Sequence, residues 1–192
     1  MDKENRLYKG AVVISNKNLQ ERLSRNIDDY PNGVVLIIDK PYGWSSADVV
    51  RKLKFSLQRW FGTRNIKVGH AGTLDPLATG VLLVCLGRAT KLADSLQAEK
   101  KGYIAEFTFG ATTPSYDLEK EIDATYPHSH ITKELIEEKL PLFIGAIEQL
   151  PPIFSAKLIA GQRAYTLARA GEKAKMKPSL ITIYNITIIT WE

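Results

Sequence analysis

The feature that most constrains the fold is a glycine-rich stretch followed directly by an uninterrupted apolar run. Residues 69–80 read GHAGTLDPLATG, and residues 81–86 read VLLVCL. Three glycines in twelve residues let the backbone turn tightly and approach a ligand closely. Pro76 fixes its own φ and stiffens the chain beside Asp75. The pattern therefore predicts a carboxylate on a stiff loop that leads into a buried strand.

Local pattern alone leaves two interpretations of this loop open. In the first interpretation the loop is structural, as an Asp-Pro turn commonly is. His70 fits this interpretation as well as it fits a functional one, because a histidine in a loop can form its hydrogen bonds with the backbone. In the alternative interpretation, Asp75 and His70 belong to an active site. The sequence contains neither G-x-x-x-x-G-K-[ST] nor G-x-G-x-x-G, so a nucleotide cofactor has no support.

Hydrophobic periodicity predicts strands and helices that do not follow the strict alternation of a doubly wound sheet. The predicted strands are residues 33–39, 81–86, 103–109, 153–159 and 179–190, the last of which forms one strand or two. The predicted helices are residues 46–61, 89–100, 132–140 and 163–170, the first capped by Ser45 or Ser46. This mixture favours the α+β class.

Composition limits the class of protein further. The longest apolar run has six residues, which is far short of a membrane span, and no apolar stretch follows the first residues, so we expect no secretory signal. One cysteine, Cys85, excludes an internal disulfide, and three histidines make a transition-metal site unexpected. We therefore expect a cytoplasmic protein.

Charge is distributed unevenly along the chain. Residues 1–102 carry 17 basic and 10 acidic side chains, whereas residues 103–192 carry 9 and 11. Residues 51–67 hold six basic side chains and no acid, and residues 157–177 hold six basic side chains and one acid. A basic surface attracts polyanions, but lysines scattered over solvated helix faces give the same counts. Charge alone leaves both interpretations open.

Three stretches of the chain carry motifs that are informative when they are taken together. They are residues 69–82, GHAGTLDPLATGVL; residues 33–46, GVVLIIDKPYGWSS; and residues 151–171, PPIFSAKLIAGQRAYTLARAG. In that order they resemble the signature loop, the opening strand and turn, and a later motif of the TruB family of tRNA pseudouridine synthases. The resemblance extends over roughly residues 33–184. It implies the pseudouridine synthase fold, an α+β fold with a mixed, mainly antiparallel sheet flanked by helices and loops.

The resemblance also implies a reaction and its residues. It implies an isomerase that converts uridine 55 in the T-stem-loop of tRNA to pseudouridine, with no metal, no organic cofactor and no obligatory protein partner. Asp75 matches the catalytic aspartate. The residues that match substrate-binding positions are Lys40, His70, Gly72, Thr73 and Tyr103.

Each matched position has an implied role beside a structural alternative. A flipped base needs an aromatic face, which Tyr103 supplies in this interpretation; the alternative is an ordinary strand aromatic. His70 matches a histidine that contacts the substrate loop. Lys40 and residues 51–67 are assigned to phosphates, which position RNA without reading its sequence. Tyr165 and Arg169 fall on the later motif, where packing or a salt bridge is the alternative.

The sequence departs from the family pattern in its C-terminal part. Lys157 directly follows Ala156, where the family usually has one residue between them, and a one-residue shift turns a strand side chain to the other face. No counterpart of the family's G-T-Y-[IV]-R-[ST] segment, whose arginine pairs with the catalytic aspartate, occurs before Glu192, and neither does a PUA module. We therefore expect an N-terminal extension over residues 1–32 and a catalytic domain over residues 33–192 that is incomplete at its C-terminus.

Two functions compete at this point. The intact loop around Asp75 favours catalysis, whereas the missing arginine favours a module that binds or remodels tRNA without isomerising it. Arg88 and Arg169 are conceivable replacements for that arginine. A guide-dependent role is a weaker third possibility, because it normally requires the PUA module.

Overall fold

The computed structural model describes residues 7–18, 23–150, 158–159, 162–163 and 178–192. The chain divides into two compact units, Met1–Tyr103 and Ile104–Glu192. Most of the strand predicted over residues 153–159 and nearly all of the helix predicted over residues 163–170 lie outside the described residues.

A five-stranded sheet is the frame of the first unit. Its strands are β1 (Leu7–Tyr8), β2 (Ala11–Ile14), β3 (Val34–Lys40), β4 (Val68–Ala71) and β5 (Gly80–Leu86), in the order β1-β2-β3-β5-β4. All neighbouring strands are antiparallel except β2 and β3, which are parallel. The mixed, mainly antiparallel sheet is therefore confirmed, as are the strands predicted over residues 33–39 and 81–86.

Residues that precede position 33 contribute to this sheet. Strand β2 pairs with β3 from Val12↔Val34 to Ile14↔Leu36, and β1 pairs with β2. The division into an extension over residues 1–32 and a catalytic domain over residues 33–192 stays a prediction. The described residues of that extension nevertheless add two strands to one edge of the sheet.

Apolar side chains are buried on both faces of the sheet. Val84 and Cys85 are neighbours on β5, and their side chains point to opposite faces because strand side chains alternate. Val84 belongs to the core beneath α1 (Ser46–Trp60). Cys85 belongs to the core beneath a 3-10 helix (Gly87–Leu92) and α2 (Ala93–Gln97). Burial on both faces explains the near-continuous apolar sequence of β3 and β5, and the helix predicted over residues 89–100 is thus a 3-10 helix followed by a short α-helix.

Helix α1 begins as predicted because Ser45 caps it. The Asp48 N–H donates to Ser45 Oγ at 3.2 Å, and the Ser45 N–H donates to the Asp48 carboxylate at 3.2 Å, which is the reciprocal capping box. The Ser45 hydroxyl also donates to the Asp48 carboxylate at 2.6 Å. This hydrogen bond first and the one from the Ser45 N–H second, with a smaller contribution from Arg51, hold the pKa of Asp48 below its ordinary value. The cap needs only Ser45, so the hydroxyl of Ser46 is available for another contact.

The second unit consists of short elements. They are β6 (Ala111–Thr112), β7 (Ala124–Thr125), α3 (Lys133–Lys139), a 3-10 helix (Leu140–Phe143), β8 (Gly145–Gln149), β9 (Leu158–Ile159), β10 (Gln162–Arg163) and β11 (Ser179–Ile183). The pairs β6–β7, β8–β11 and β9–β10 are antiparallel. Helix α3 confirms the helix predicted over residues 132–140, and β11 confirms the first part of the strand predicted over residues 179–190. None of the described helices has the length and hydrophobicity that a membrane crossing requires.

The strand predicted over residues 103–109 is wrong. These residues have no strand assignment and pair with no described strand, and Ile104 and Phe107 are exposed. Alternation of apolar side chains has period two in this segment, but a strand also needs a neighbouring backbone with which to share hydrogen bonds. Among the described residues, no such ladder forms here.

Candidate active site

The loop over residues 72–79 lies at one end of the five-stranded sheet. It joins the end of β4 at Ala71 to the start of β5 at Gly80, and Gly80 pairs with Lys40, the last residue of β3. The predicted loop began at Gly69, but residues 69–71 belong to β4. The loop therefore begins at Gly72, and Asp75 lies near its middle.

Ser46 connects the first turn of α1 to this loop. Its hydroxyl donates to the Leu74 carbonyl at 3.1 Å, and the Leu74 N–H donates to the same hydroxyl oxygen at 3.0 Å. Ser46 is only 2% exposed, so water does not compete for these hydrogen bonds. The N–H and the carbonyl of Leu74, the residue that precedes Asp75, are therefore both held by the buried side chain of Ser46.

Lys40 makes a second connection, and its predicted role as a phosphate ligand is wrong. The residue is 0% exposed, and its Nζ donates to the carbonyls of Trp44 at 2.6 Å, Pro41 at 3.0 Å and Pro76 at 3.4 Å. A buried ammonium with three carbonyl partners is satisfied within the protein and cannot reach an RNA phosphate. Lys40 instead joins the turn after β3 to the residue that follows Asp75.

The turn after β3 also touches the loop through its backbone. The Gly43 N–H donates to the Pro76 carbonyl at 2.8 Å. This hydrogen bond and the Lys40 contact converge on Pro76, while Ser46 holds Leu74. Asp75 is consequently flanked on both sides by residues that the segment over residues 40–46 holds in place.

His70 and Gly72 are adjacent in the structure. His70 Nδ1 donates to the Gly72 carbonyl. Because a carbonyl only accepts, Nδ1 carries a proton in this contact. Gly72 has φ +98°, a backbone conformation that residues with a Cβ rarely adopt. This glycine lets the chain leave β4 and turn towards Asp75.

The side chain of Asp75 is exposed, as is that of Thr73. The Asp75 carbonyl accepts from the Ala78 N–H at 3.0 Å, which closes a tight turn, and none of the ion pairs among the described residues includes Asp75. A carboxylate at this position is free to meet a substrate.

Arg88 does not lie beside Asp75. It lies two residues after Leu86, which is at the opposite end of β5 from Gly80, and six strand steps separate the two ends by about 20 Å. Arg169 and Tyr165, the other residues considered from sequence, lie outside the described residues.

Tyr103 is the last residue of the first unit. Its side chain is 74% exposed, and among the described residues no hydrogen bond or ring contact joins it to the loop. Its predicted stacking on a flipped base stays a prediction. The structure thus places Gly72, Thr73 and Asp75 on one loop, with His70 bonded to its first residue and Lys40 to Pro76, and no contact among the described residues joins Tyr103 to that loop.

Sequence reasoning missed the role of Ser46. The signal was present, because two consecutive serines stand where the helix needs one cap. The mixed, mainly antiparallel sheet with the loop of Asp75 at one end agrees with the pseudouridine synthase fold that the resemblance implies.

Comparison with known proteins gives the family. Residues 58–192 match the model of the TruB family pseudouridylate synthase (N terminal domain). The tRNA pseudouridine synthase B of Phocaeicola vulgatus is 54% identical over 161 residues, which are 84% of this chain and 68% of that protein. The tRNA pseudouridine synthase B of Flavobacterium johnsoniae is 51% identical over 84% of this chain and 71% of that protein. The chain belongs to the TruB family.

Proposed function

We propose that this chain converts a uridine of tRNA to pseudouridine, and that the uridine is number 55 in the T-loop. We place this activity in the cytoplasm. The observation that carries the proposal is the exposed carboxylate of Asp75 between two residues that are held by buried side chains. The names of the relatives, tRNA pseudouridine synthase B, support tRNA as the substrate class.

The reaction is an isomerisation and needs no other reactant. The bond between ribose C1′ and uracil N1 breaks, the uracil turns, and C1′ bonds to C5 instead. The proton on C5 is released and N1 gains one. Positive charge develops on the ribose when the first bond breaks, and a fixed carboxylate beside C1′ stabilises it.

Rigid placement of Asp75 matters because a displacement of about 1 Å can cost a hundredfold in rate. Ser46 and Lys40 hold the backbone on the two sides of Asp75. We assign substrate contacts to His70, through its Nε2, and to Gly72 and Thr73, the first two residues of the loop. We assign Tyr103 to the flipped base, which needs an aromatic face.

The test is release of tritium from a tRNA transcript that carries 5-tritiated uridine. We expect release equal to one uridine per tRNA, and none from a transcript in which uridine 55 is replaced by cytidine. Asp75→Asn should abolish the release of tritium. Asp94→Asn changes an exposed carboxylate on α2 and is the matched control for Asp75→Asn, because we expect it to leave the release of tritium unchanged.

Two outcomes would overturn parts of this proposal. If the chain binds the transcript and releases no tritium, the chain is a non-catalytic tRNA-binding module and the proposal of an isomerase is wrong. If the cytidine-55 transcript still releases tritium at the original rate, the chain isomerises a different uridine.

A further inference from the structure

An aromatic side chain lies at the centre of the solvent face of α1. The core-facing side of this helix carries Val49, Leu53 and Leu57. At about 100° per residue, Phe55 lies on the opposite side, and its side chain is 62% exposed. Packing of the first unit therefore gives no reason for a phenylalanine at this position.

Phe55 belongs to a row of aromatic and basic side chains. Residues three, four and seven apart share one face of a helix, which places Arg51, Lys52, Phe55 and Arg59 together, all exposed. The Arg59 guanidinium lies over the Phe55 ring, 5.9 Å from its centroid. Trp44, which precedes the helix and is 40% exposed, extends the row, and we call these five residues the α1 stripe.

The stripe begins beside the candidate active site. Gly43 bonds to Pro76, as described above, and Trp44 is the next residue along the chain. An open surface depression of about 530 Å³ lies at this end of the stripe, lined by Gly43, Trp44, Asp48, Arg51 and Lys52. From this end the helix runs about 22 Å, so the stripe leads away from the loop of Asp75.

The charge of the stripe favours a polyanion. Asp48 is the acid beside it, and its carboxylate pairs with Arg51 at 2.8 Å, which offsets one positive charge. Lys52 and Arg59 have no ion pair among the described residues. Alternating aromatic and basic side chains are the arrangement that binds unpaired nucleic acid, because rings stack on bases and cations contact phosphates.

We propose that the α1 stripe binds unpaired nucleotides of the tRNA substrate next to the target uridine. A base stacks on Trp44 at this end of the stripe and another on Phe55. Lys52 contacts the backbone between the two bases, and Arg59 contacts the backbone beyond Phe55. This inference rests on the proposed function, because the RNA is the substrate of the same site.

The first test measures tRNA affinity against salt concentration for two matched lysine variants. Lys52→Ala and Lys54→Ala remove the same charge from exposed positions of one helix, but positions two apart face different directions. The proposal therefore narrows the phosphate contacts expected over residues 51–67 to the side of α1 that carries Lys52, which excludes Lys54. We expect Lys52→Ala to lower the slope of log K against log salt by about 0.7 and Lys54→Ala to leave it unchanged. Equal slopes for the two variants would overturn the proposal that the α1 stripe binds the tRNA.

The second test separates stacking from general apolar contact. We expect Phe55→Leu to weaken tRNA binding by about tenfold, within the range for a lost stacking contact, and Phe55→Tyr to bind as the original chain does. Equal affinity of the leucine and original proteins would contradict stacking. A change of sedimentation mass in Phe55→Leu would identify the stripe as a contact between protein copies and also overturn the proposal.

These tests are independent of the tritium assay. If the original chain fails to bind tRNA, the proposed function fails with it. If the chain binds and isomerises tRNA while Lys52→Ala behaves as Lys54→Ala does, only the stripe is wrong. Circular dichroism melting of each variant checks that the helix is intact.

Discussion

Ser46 and Leu74 are joined by two hydrogen bonds that share one hydroxyl oxygen. The hydroxyl donates to the Leu74 carbonyl at 3.1 Å and accepts from the Leu74 N–H at 3.0 Å. These residues are 28 positions apart in the chain. A helix that packs on one face of the sheet thereby sets the position of the residue that precedes Asp75.

Ser46→Ala should impair catalysis more than it impairs tRNA binding. The substitution leaves two backbone groups of Leu74 without their partner, each at a cost of about 1–3 kcal/mol when buried, and lets the loop shift. We expect kcat to fall by about a hundredfold, with little change in the affinity for tRNA. Single-turnover kinetics and a binding titration measure the two quantities.

Ser45→Ala is the matched control for Ser46→Ala. It removes the helix cap, which typically costs about 1 kcal/mol of stability, and leaves the Ser46–Leu74 contact intact. We expect kcat close to that of the original protein at a temperature where both are folded. Similar losses of kcat in the two variants would show that helix stability, and not the position of the loop, controls the rate.

Lys40→Met should destabilise the protein without changing the salt dependence of tRNA binding. The buried ammonium has three carbonyl partners, and its loss should lower the free energy of unfolding by about 1.5–3 kcal/mol. Urea denaturation measures this change. If the slope of log K against log salt were lower for Lys40→Met than for the original protein, Lys40 would be a phosphate ligand after all.

Elements with a strong local signal could be predicted from the sequence. Helix α1 begins with a capping box, and β5 is an apolar run bounded by glycines, so both were predicted to within one or two residues. The segment over residues 103–109 was predicted wrongly. Its alternating pattern shows only which side chains are apolar, whereas a strand also depends on a partner strand elsewhere in the chain.

The candidate site was predicted in part for the same reason. The family motif assigned site roles to Asp75, His70 and Gly72, and these roles stay predictions. The motif gave Lys40 the role of a surface cation, because its carbonyl partner at Pro76 lies 36 positions away. Contacts between distant segments decide whether a charged side chain faces a ligand or supports a loop.

Cys85 should be unreactive in the folded protein. It is buried in β5, and burial raises the pKa of its thiol above the ordinary value. The thiolate is the reactive form, so we expect no labelling by iodoacetamide at about pH 8 and complete labelling in urea. Labelling of the folded chain at the rate of a free thiol would contradict the burial of this strand.

The same pKa shift predicts a dependence of stability on pH. The folded chain keeps the thiol proton to a higher pH than the unfolded chain does, so the unfolded chain binds fewer protons above the ordinary thiol pKa. The free energy of unfolding should therefore fall as the pH rises through that region. Cys85→Ala should show a shallower fall than the original protein, and identical slopes would contradict this prediction.

The central claim is that the carboxylate of Asp75 performs the isomerisation, and Asp75→Asn tests it most directly. Asparagine has the same shape but no negative charge, and Asp75 is exposed, so the fold and tRNA affinity should stay nearly unchanged. Pseudouridine formation in a single turnover on 5-tritiated tRNA is the measurement. We predict that the original chain completes the turnover and that Asp75→Asn releases no tritium, whereas a variant rate within tenfold of the original would contradict the account.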